Sequence, residues 1–478
     1  MDLSTSEHPG QQAMISSSVI TGGTFVYHNA RSQQNVGKGG FERLQDAVAP
    51  GALHDSKERF DPPKCHRNTR LAVLKRIMDW ILRQDDTTRD AIIMWLYGPA
   101  GAGKSAIAQT IAEMCYSYGY LLAGFFFSKN DHQRSTSQPL VATLAYQLAL
   151  NLPEQVREHI ISTIEHNPLI FSSSLEAQLT ALVVEPVKVL AESGFFDDPY
   201  SPRLIVIDGL DECDNPQERG NILRAIFQSI RRQSLPLIFL IVSRPEVDIT
   251  SSFNSPSAAS IWTGLALDDS YYPSADIRLF LHEKFGEIKQ THRLANFIPP
   301  SWPTEDMTET IVERSSGQFI YASTVVKFVA SARHRPMDRL EIVLGVRPAA
   351  GEAPFAELDA LYTHVFSGVD DIIAVQQILG LLIVGPPYGA TYDAEIFERL
   401  YSLEPGTTSL ILIDLSSLIG VTEAVTRFGT VVLVRILHAS LKEFLLDPSR
   451  SGALYINPAK RHTQYALLCF QHFRSKFS

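Results

Sequence analysis

AIIMWLYGPAGAGKS, Ala91–Ser105, decides how the rest of the chain is read. Its first half is a continuous apolar run that stops at a glycine. Such a run has no polar face, so it reads as a strand buried on both sides of a parallel sheet. Its second half, GPAGAGKS, fits GxxxxGK[ST] in full. Gly98, Gly101 and Gly103 let the backbone curl so that its N–H groups point inward at phosphate oxygens. Lys104 reaches the β- and γ-phosphates, and Ser105 offers a hydroxyl to Mg²⁺. The residues after the loop carry Ile107, Ile111 and Met114 at helical spacing. A helix beginning there points its positive end at the phosphates. The nucleotide-binding set is therefore Gly98, Pro99, Ala100, Gly101, Ala102, Gly103, Lys104, Ser105 and Ala106.

A phosphate loop needs acids from a neighbouring strand. LIVIDGLDECD, Leu204–Asp214, brings an apolar strand straight into Asp208, with Asp211 and Glu212 close behind. Carboxylates crowded at a buried strand end repel one another, and a divalent cation changes that balance. Asp208 is placed to hold the hydrated Mg²⁺ with Ser105. Asp211 and Glu212 compete for the water-activating role; Glu212 is favoured, with Asp211 ordering metal or water. Gly209 gives the backbone clearance. LIVSRPE ends the next strand, and Ser243 and Arg244 fall where a polar and a cationic group would sense the γ-phosphate.

Strand-like and helical runs alternate over 91–250: LLAGFFFS, LVATLAYQLA, RLIVIDGLDE and LPLIFLIVSRPE follow the opening strand. That alternation predicts a three-layer α/β domain. Upstream, Leu71, Leu74, Met78 and Ile81 predict one face of a linker helix within 61–90. Residues 1–60 are rich in Ser, Gly, Gln and Asn and read as a disordered tail. Within them SVITGGTFVYH is a candidate β-forming contact for a partner or for copies of itself. Helical patterns dominate 251–350. VRPAAGEAPFAE reads as a linker, and 351–450 reads as helices followed by a hairpin turning at Arg427–Gly429, a winged-helix-like domain. Residues 451–478 read as a C-terminal helix.

The 478 residues carry a net charge of −10 and no dense Lys/Arg run, which argues against a general nucleic-acid or anionic-membrane surface. The four cysteines form no CxxC pair, so neither a disulfide framework nor a zinc site is expected. No apolar run predicts an integral membrane segment, and no signal peptide is apparent. The expectation is a soluble, cytoplasmic, multidomain protein.

GPAGAGKS, LIVIDGLDEC and IVSRPE, in that order, resemble the NACHT-type NTPases of the STAND class, signalling ATPases related to NOD-like receptors. PKCHRNTR, GFFFSKNDHQRS, SSGQFIYAS and LHASLKEFLLDP are similar to blocks of fungal NACHT proteins of the heterokaryon-incompatibility type. The resemblance spans roughly residues 60–450. It implies an NTPase core, a helical domain and a winged helix that clamp ADP at rest. ATP would open the clamp, drive self-association and be hydrolysed slowly. It implies that Arg70 contacts adenine and that His438 touches the β-phosphate of ADP. It sets Gly317 and Phe319 near the base, although Gln318 stands within a block that lacks the family's proline. It also implies C-terminal sensor repeats, which this sequence does not contain. A non-hydrolysing scaffold and a housekeeping P-loop ATPase are the alternatives.

Overall fold

A computed structural model describes residues 38–478 apart from 60–61, 130, 233–234, 268–270, 272, 347–354, 386–390, 416–417, 427–428, 437–438 and 477–478. The SVITGGTFVYH stretch and His438 lie outside the described residues. Residues 40–478 form one compact unit.

Helix α1 (Gly40–Ala47) opens it, followed by α2 (Leu71–Ile81), β1 (Ile93–Tyr97), α3 (Lys104–Ser117), β2 (Leu121–Phe126), α4 (Leu140–Asn151), α5 (Glu154–His166), α6 (Leu175–Leu179), α7 (Glu185–Glu192), β3 (Leu204–Asp208), α8 (Pro216–Arg232), β4 (Ile238–Ser243), α9 (Val247–Phe253) and β5 (Trp262–Ala266). The five strands are parallel, in the order β2-β3-β4-β1-β5. This is the three-layer α/β fold of P-loop NTPases. Alternate residues of each strand feed opposite faces. Ile205 and Ile207 enter one core with α4, α5, α7 and α8, while Leu204 and Val206 enter another with α2 and α3. All C-terminal strand ends lie on one side. The order therefore sets the phosphate loop after β1 beside Arg244 after β4, with Asp208 of β3 one strand further.

Three expectations are corrected. The sheet does not end by residue 250, because β5 pairs with β1. Its sequence, WTGLA, is a half-exposed edge strand holding Gly264, so it lacks the long apolar run of the inner strands. Residues 40–59 are not tail: Leu44 is fully buried, and Phe41 stacks on Tyr146 of α4 with centroids 5.9 Å apart. The buried face of α2 is Val73, Leu74, Ile77, Trp80 and Ile81, whereas Leu71 is exposed. Trp80 turns the helix inward by donating its indole N–H to the Ala91 carbonyl at 2.8 Å.

Beyond β5 come α10 (Pro273–Thr291), α11 (Glu305–Ser315), α12 (Phe319–Val329), α13 (Pro336–Leu344), α14 (Ala356–Phe366) and α15 (Ile372–Val384). Between α11 and α12 the chain turns at Ser316 and Gly317, which have φ of 47° and 76°. Then follow β6 (Thr391–Asp393), α16 (Ala394–Tyr401), α17 (Thr407–Ile411), β7 (Ile419–Thr426), β8 (Gly429–Ile436), α18 (Ala439–Leu446), α19 (Pro448–Ser451) and α20 (Pro458–Lys476). The three strands form an antiparallel sheet in the order β6-β8-β7 among these helices. A single core runs from Ile277 of α10 through Tyr362 of α14 to Tyr465 of α20, so the elements after β5 share one interior.

Candidate nucleotide site

The phosphate loop is shaped by its glycines. Gly101 and Gly103 have φ of 75° and 90°, a region that costs a side-chain-bearing residue about 1–2 kcal/mol. Around Gly103 there is open space, so its requirement is conformational; at Gly98 a Cβ would come within 3.0 Å of Leu267. Gly103 caps α3, which therefore starts at Lys104 with its N–H groups facing the loop. The Lys104 ammonium donates to the carbonyls of Gly98 and Pro99, both at 2.8 Å. Burial pulls its pKa down to about 8, against the attraction of Asp211.

Asp208 is 3% exposed. Its carboxyl is pushed up to about 7 by burial and by neighbouring Glu212, while a hydrogen bond from Ser105 opposes the shift. Its Oδ1 is buried without a hydrogen-bond partner. An orphaned carboxylate oxygen beside a serine hydroxyl fits Mg²⁺, a hard cation that takes one or two protein oxygens and completes its shell with phosphate and water. Ser105 and Asp208 would hold it. Among the described residues no group of three or more His, Cys, Asp or Glu side chains is gathered to chelate a metal unaided.

The two competing acids are in different situations. Asp211 accepts the Arg244 backbone N–H at 2.9 Å on Oδ1 and pairs with Arg244 Nε at 3.1 Å through Oδ2. Among the described residues, Glu212 accepts the backbone N–H of Lys129, at 3.2 Å. Its carboxyl is raised by burial and then by Asp211. Gly209, with φ 70°, turns the chain between Asp208 and these acids. Ser243 does not join them. It points through the opposite face of β4, is fully buried and bonds the Trp95 indole at 2.9 Å.

Arg70 is nearly buried. Its backbone N–H meets Asp276 of α10 at 2.9 Å, one terminal nitrogen donates to the Ala102 carbonyl at 2.8 Å, and its guanidinium lies 5.0 Å from the Phe319 ring centroid. It thus ties the phosphate loop to the start of α12. Gln318 is buried beside it and Gly317 forms the turn.

These groups surround one cavity of about 430 Å³, within the usual range for a small-ligand site. Ala100, Gly101, Gly103, Lys104, Ser105 and Ala106 line it, with Asp208, Asp211, Glu212, Arg244 and Arg70. Further walls come from His66, Phe280 of α10, Phe319 and Ile320 of α12, and Leu361 of α14. Gly98, Pro99 and Ala102 face instead a larger cleft of about 1280 Å³. That cleft is not lined by Asp208, Asp211 or Glu212, which all face the smaller cavity. Lys129, Phe280 and Leu361 were not foreseen as site residues: each arrives through packing of distant elements, without a local motif. The His438 expectation falls on a residue outside those described.

A family model for the N-terminal region of nephrocystin 3 matches residues 74–244. No curated protein matches the chain in sequence. Among solved structures, a Walker-type ATPase of Pyrococcus abyssi is similar at TM-score 0.47 and 16% identity, over 80% of this chain and 97% of that one. The Cdc6p protein of Pyrobaculum aerophilum aligns at TM-score 0.36 and 12% identity, over 81% and 96%. The ORC1 protein of Aeropyrum pernix, solved in complex with DNA, aligns at TM-score 0.34 and 16% identity, over 78% and 90%. Among the described residues no helix is long and apolar enough to cross a membrane.

Proposed function

We propose that this chain is a NACHT-type signalling switch that binds ATP or ADP with Mg²⁺, hydrolyses ATP slowly and self-associates in its ATP state. One observation carries the reading. The walls of the cavity come from the NTPase core, from α10 and α12, and from α14 of the winged-helix part. A ligand there touches every part that a switch has to rearrange. Shifting such an equilibrium requires different affinity in the two states, about 10⁴-fold to move from 1:99 to 99:1. The phosphates and their counter-charges are the natural source of that difference.

The residues have the following roles. The loop N–H groups and Lys104 hold the phosphates, and Lys104 exchanges its two carbonyl partners for phosphate oxygens. Ser105 and Asp208 hold Mg²⁺, which when bound neutralises charge on the transferring phosphate. Glu212 orients the attacking water. Asp211 sets the position of Arg244, a second cation for the γ-phosphate end beside Lys104. Arg70 and Phe319 form the base end. His438, carried by resemblance, contacts the β-phosphate. The cytoplasm is the proposed compartment, with an innate-immunity or cell-death-like output.

The experiment is to measure the nucleotide carried by the purified native chain and by Glu212→Gln, and the turnover of each. Tightly held ADP, slow native hydrolysis and a Glu212→Gln chain that retains ATP support the switch. Fast multiple turnover onto an acceptor other than water would contradict it.

A further inference from the structure

The segment ahead of α2 brings Arg59 near Asp208. Residues 49–59 are strapped to the core by buried polar bonds. The Ala49 N–H donates to Thr143 Oγ1 at 3.0 Å. Gln109 of α3, fully buried, donates its amide to the His54 carbonyl at 2.8 Å and to Glu113 at 2.7 Å. The same Gln109 accepts from the Arg59 guanidinium at 2.6 Å. A glutamine buried on a helix is costly unless satisfied, and here its satisfaction fixes the strap.

The Arg59 guanidinium carbon then lies over Phe126, 4.0 Å from the ring centroid. Phe126 is the register partner of Asp208 across β2 and β3, so the two side chains leave the sheet on the same face. The guanidinium is therefore beside Asp208 and within its electrostatic reach, with Arg134 and Glu113 as the other charged groups near it. It does not line the nucleotide cavity, and Asp208 Oδ1 remains unbonded. A fixed positive charge close to a carboxylate lowers what that carboxylate offers a divalent cation.

We propose that Arg59 is a positioning residue for Asp208: held by Gln109 over Phe126, its charge weakens Mg²⁺ capture at the Ser105–Asp208 pair. Metal affinity is thereby coupled to the seating of the 49–59 strap. This rests on the reading of the site as a Mg²⁺–nucleotide site. It differs from the roles above because Arg59 touches neither phosphate nor base.

The test is binding of a fluorescent ADP analogue to the full chain across a Mg²⁺ titration, with a Mg²⁺-free baseline and a thermal melt for each variant. Arg59→Met keeps a long side chain on Phe126 and removes the charge. It should lower the Mg²⁺ concentration for half-saturation by about threefold to tenfold, with the baseline unchanged. Arg59→Lys keeps the charge and should stay near the native value. A native Mg²⁺ requirement in a folded Arg59→Met chain would overturn the inference and leave nucleotide binding standing. Equal shifts in both variants would also overturn it, by assigning the effect to packing. A native chain that binds no analogue with or without Mg²⁺ would remove the nucleotide reading itself, and this inference with it.

Discussion

Arg244 holds Asp211 at both carboxylate oxygens, with its backbone N–H 2.9 Å from Oδ1 and its Nε 3.1 Å from Oδ2. Among the described residues, the adjacent acid, Glu212, has one hydrogen bond, from the Lys129 backbone N–H. An acid gripped twice by one arginine is a structural tie between the ends of β3 and β4. An acid with a free face can order water. Glu212→Gln should leave nucleotide binding within about twofold and cut single-turnover hydrolysis by about 10²-fold or more. Asp211→Asn should instead lower stability by about 2–3 kcal/mol, because Arg244 keeps its charge and loses its partner. Thermal melts beside single-turnover assays check both. An Asp211→Asn chain that melts like the native one but hydrolyses nothing would reverse the assignment.

Arg70 joins three elements by its contacts to Ala102, Asp276 and Phe319. Arg70→Ala should weaken ADP binding about tenfold, measured by calorimetry. Arg70→Lys should recover little of it, since a point charge cannot both reach the Ala102 carbonyl and lie on the Phe319 ring. Full recovery by lysine would show that charge alone matters there.

Asp208 gives a pH signature without Mg²⁺ or nucleotide. Its folded carboxyl, pushed to about 7, lies above the ordinary value near 3.8. Between those values the folded state binds the proton and the unfolded state does not, so stability falls as pH rises from about 4 to about 7. Asp208→Asn removes the penalty. It should stabilise the ligand-free protein at pH 8 and have little effect at pH 4. The check is a denaturant series at the two pH values. A loss of stability at pH 8 in the asparagine variant would contradict the burial argument.

Arg450 pairs with Asp359 of α14 at 2.7 Å and lies 4.7 Å from the Phe355 ring centroid, both partners being mostly buried. This pair seats α14, whose Leu361 faces the nucleotide cavity. Arg450→Met should cost about 3 kcal/mol by leaving Asp359 unpaired, and it should speed release of labelled ADP. Stopped-flow dissociation measures this. An unchanged release rate would remove α14 from the wall that retains nucleotide.

The inner strands were legible because each is buried on both faces and carries an unbroken apolar run; the phosphate loop was legible because its chemistry needs fixed spacing. The edge strand β5 was not, since half exposure and Gly264 erase the run. Helix α1 was hidden in a polar stretch, its place set by Phe41 and Leu44 meeting α4 and α5. The acids are legible from their position after β3, but their different contacts depend on Arg244 after β4 and on Lys129 after β2. Arg59 had no local signal at all: its meaning appears only when β2 and β3 pair Phe126 with Asp208.

The central claim is that nucleotide state changes assembly. Its most direct test is the molar mass by light scattering of the Glu212→Gln chain loaded with Mg²⁺–ATP, set beside the same chain loaded with ADP. The switch requires a small species with ADP and a larger, closed assembly with ATP. The same mass in both states, with each nucleotide shown to be bound, would contradict it.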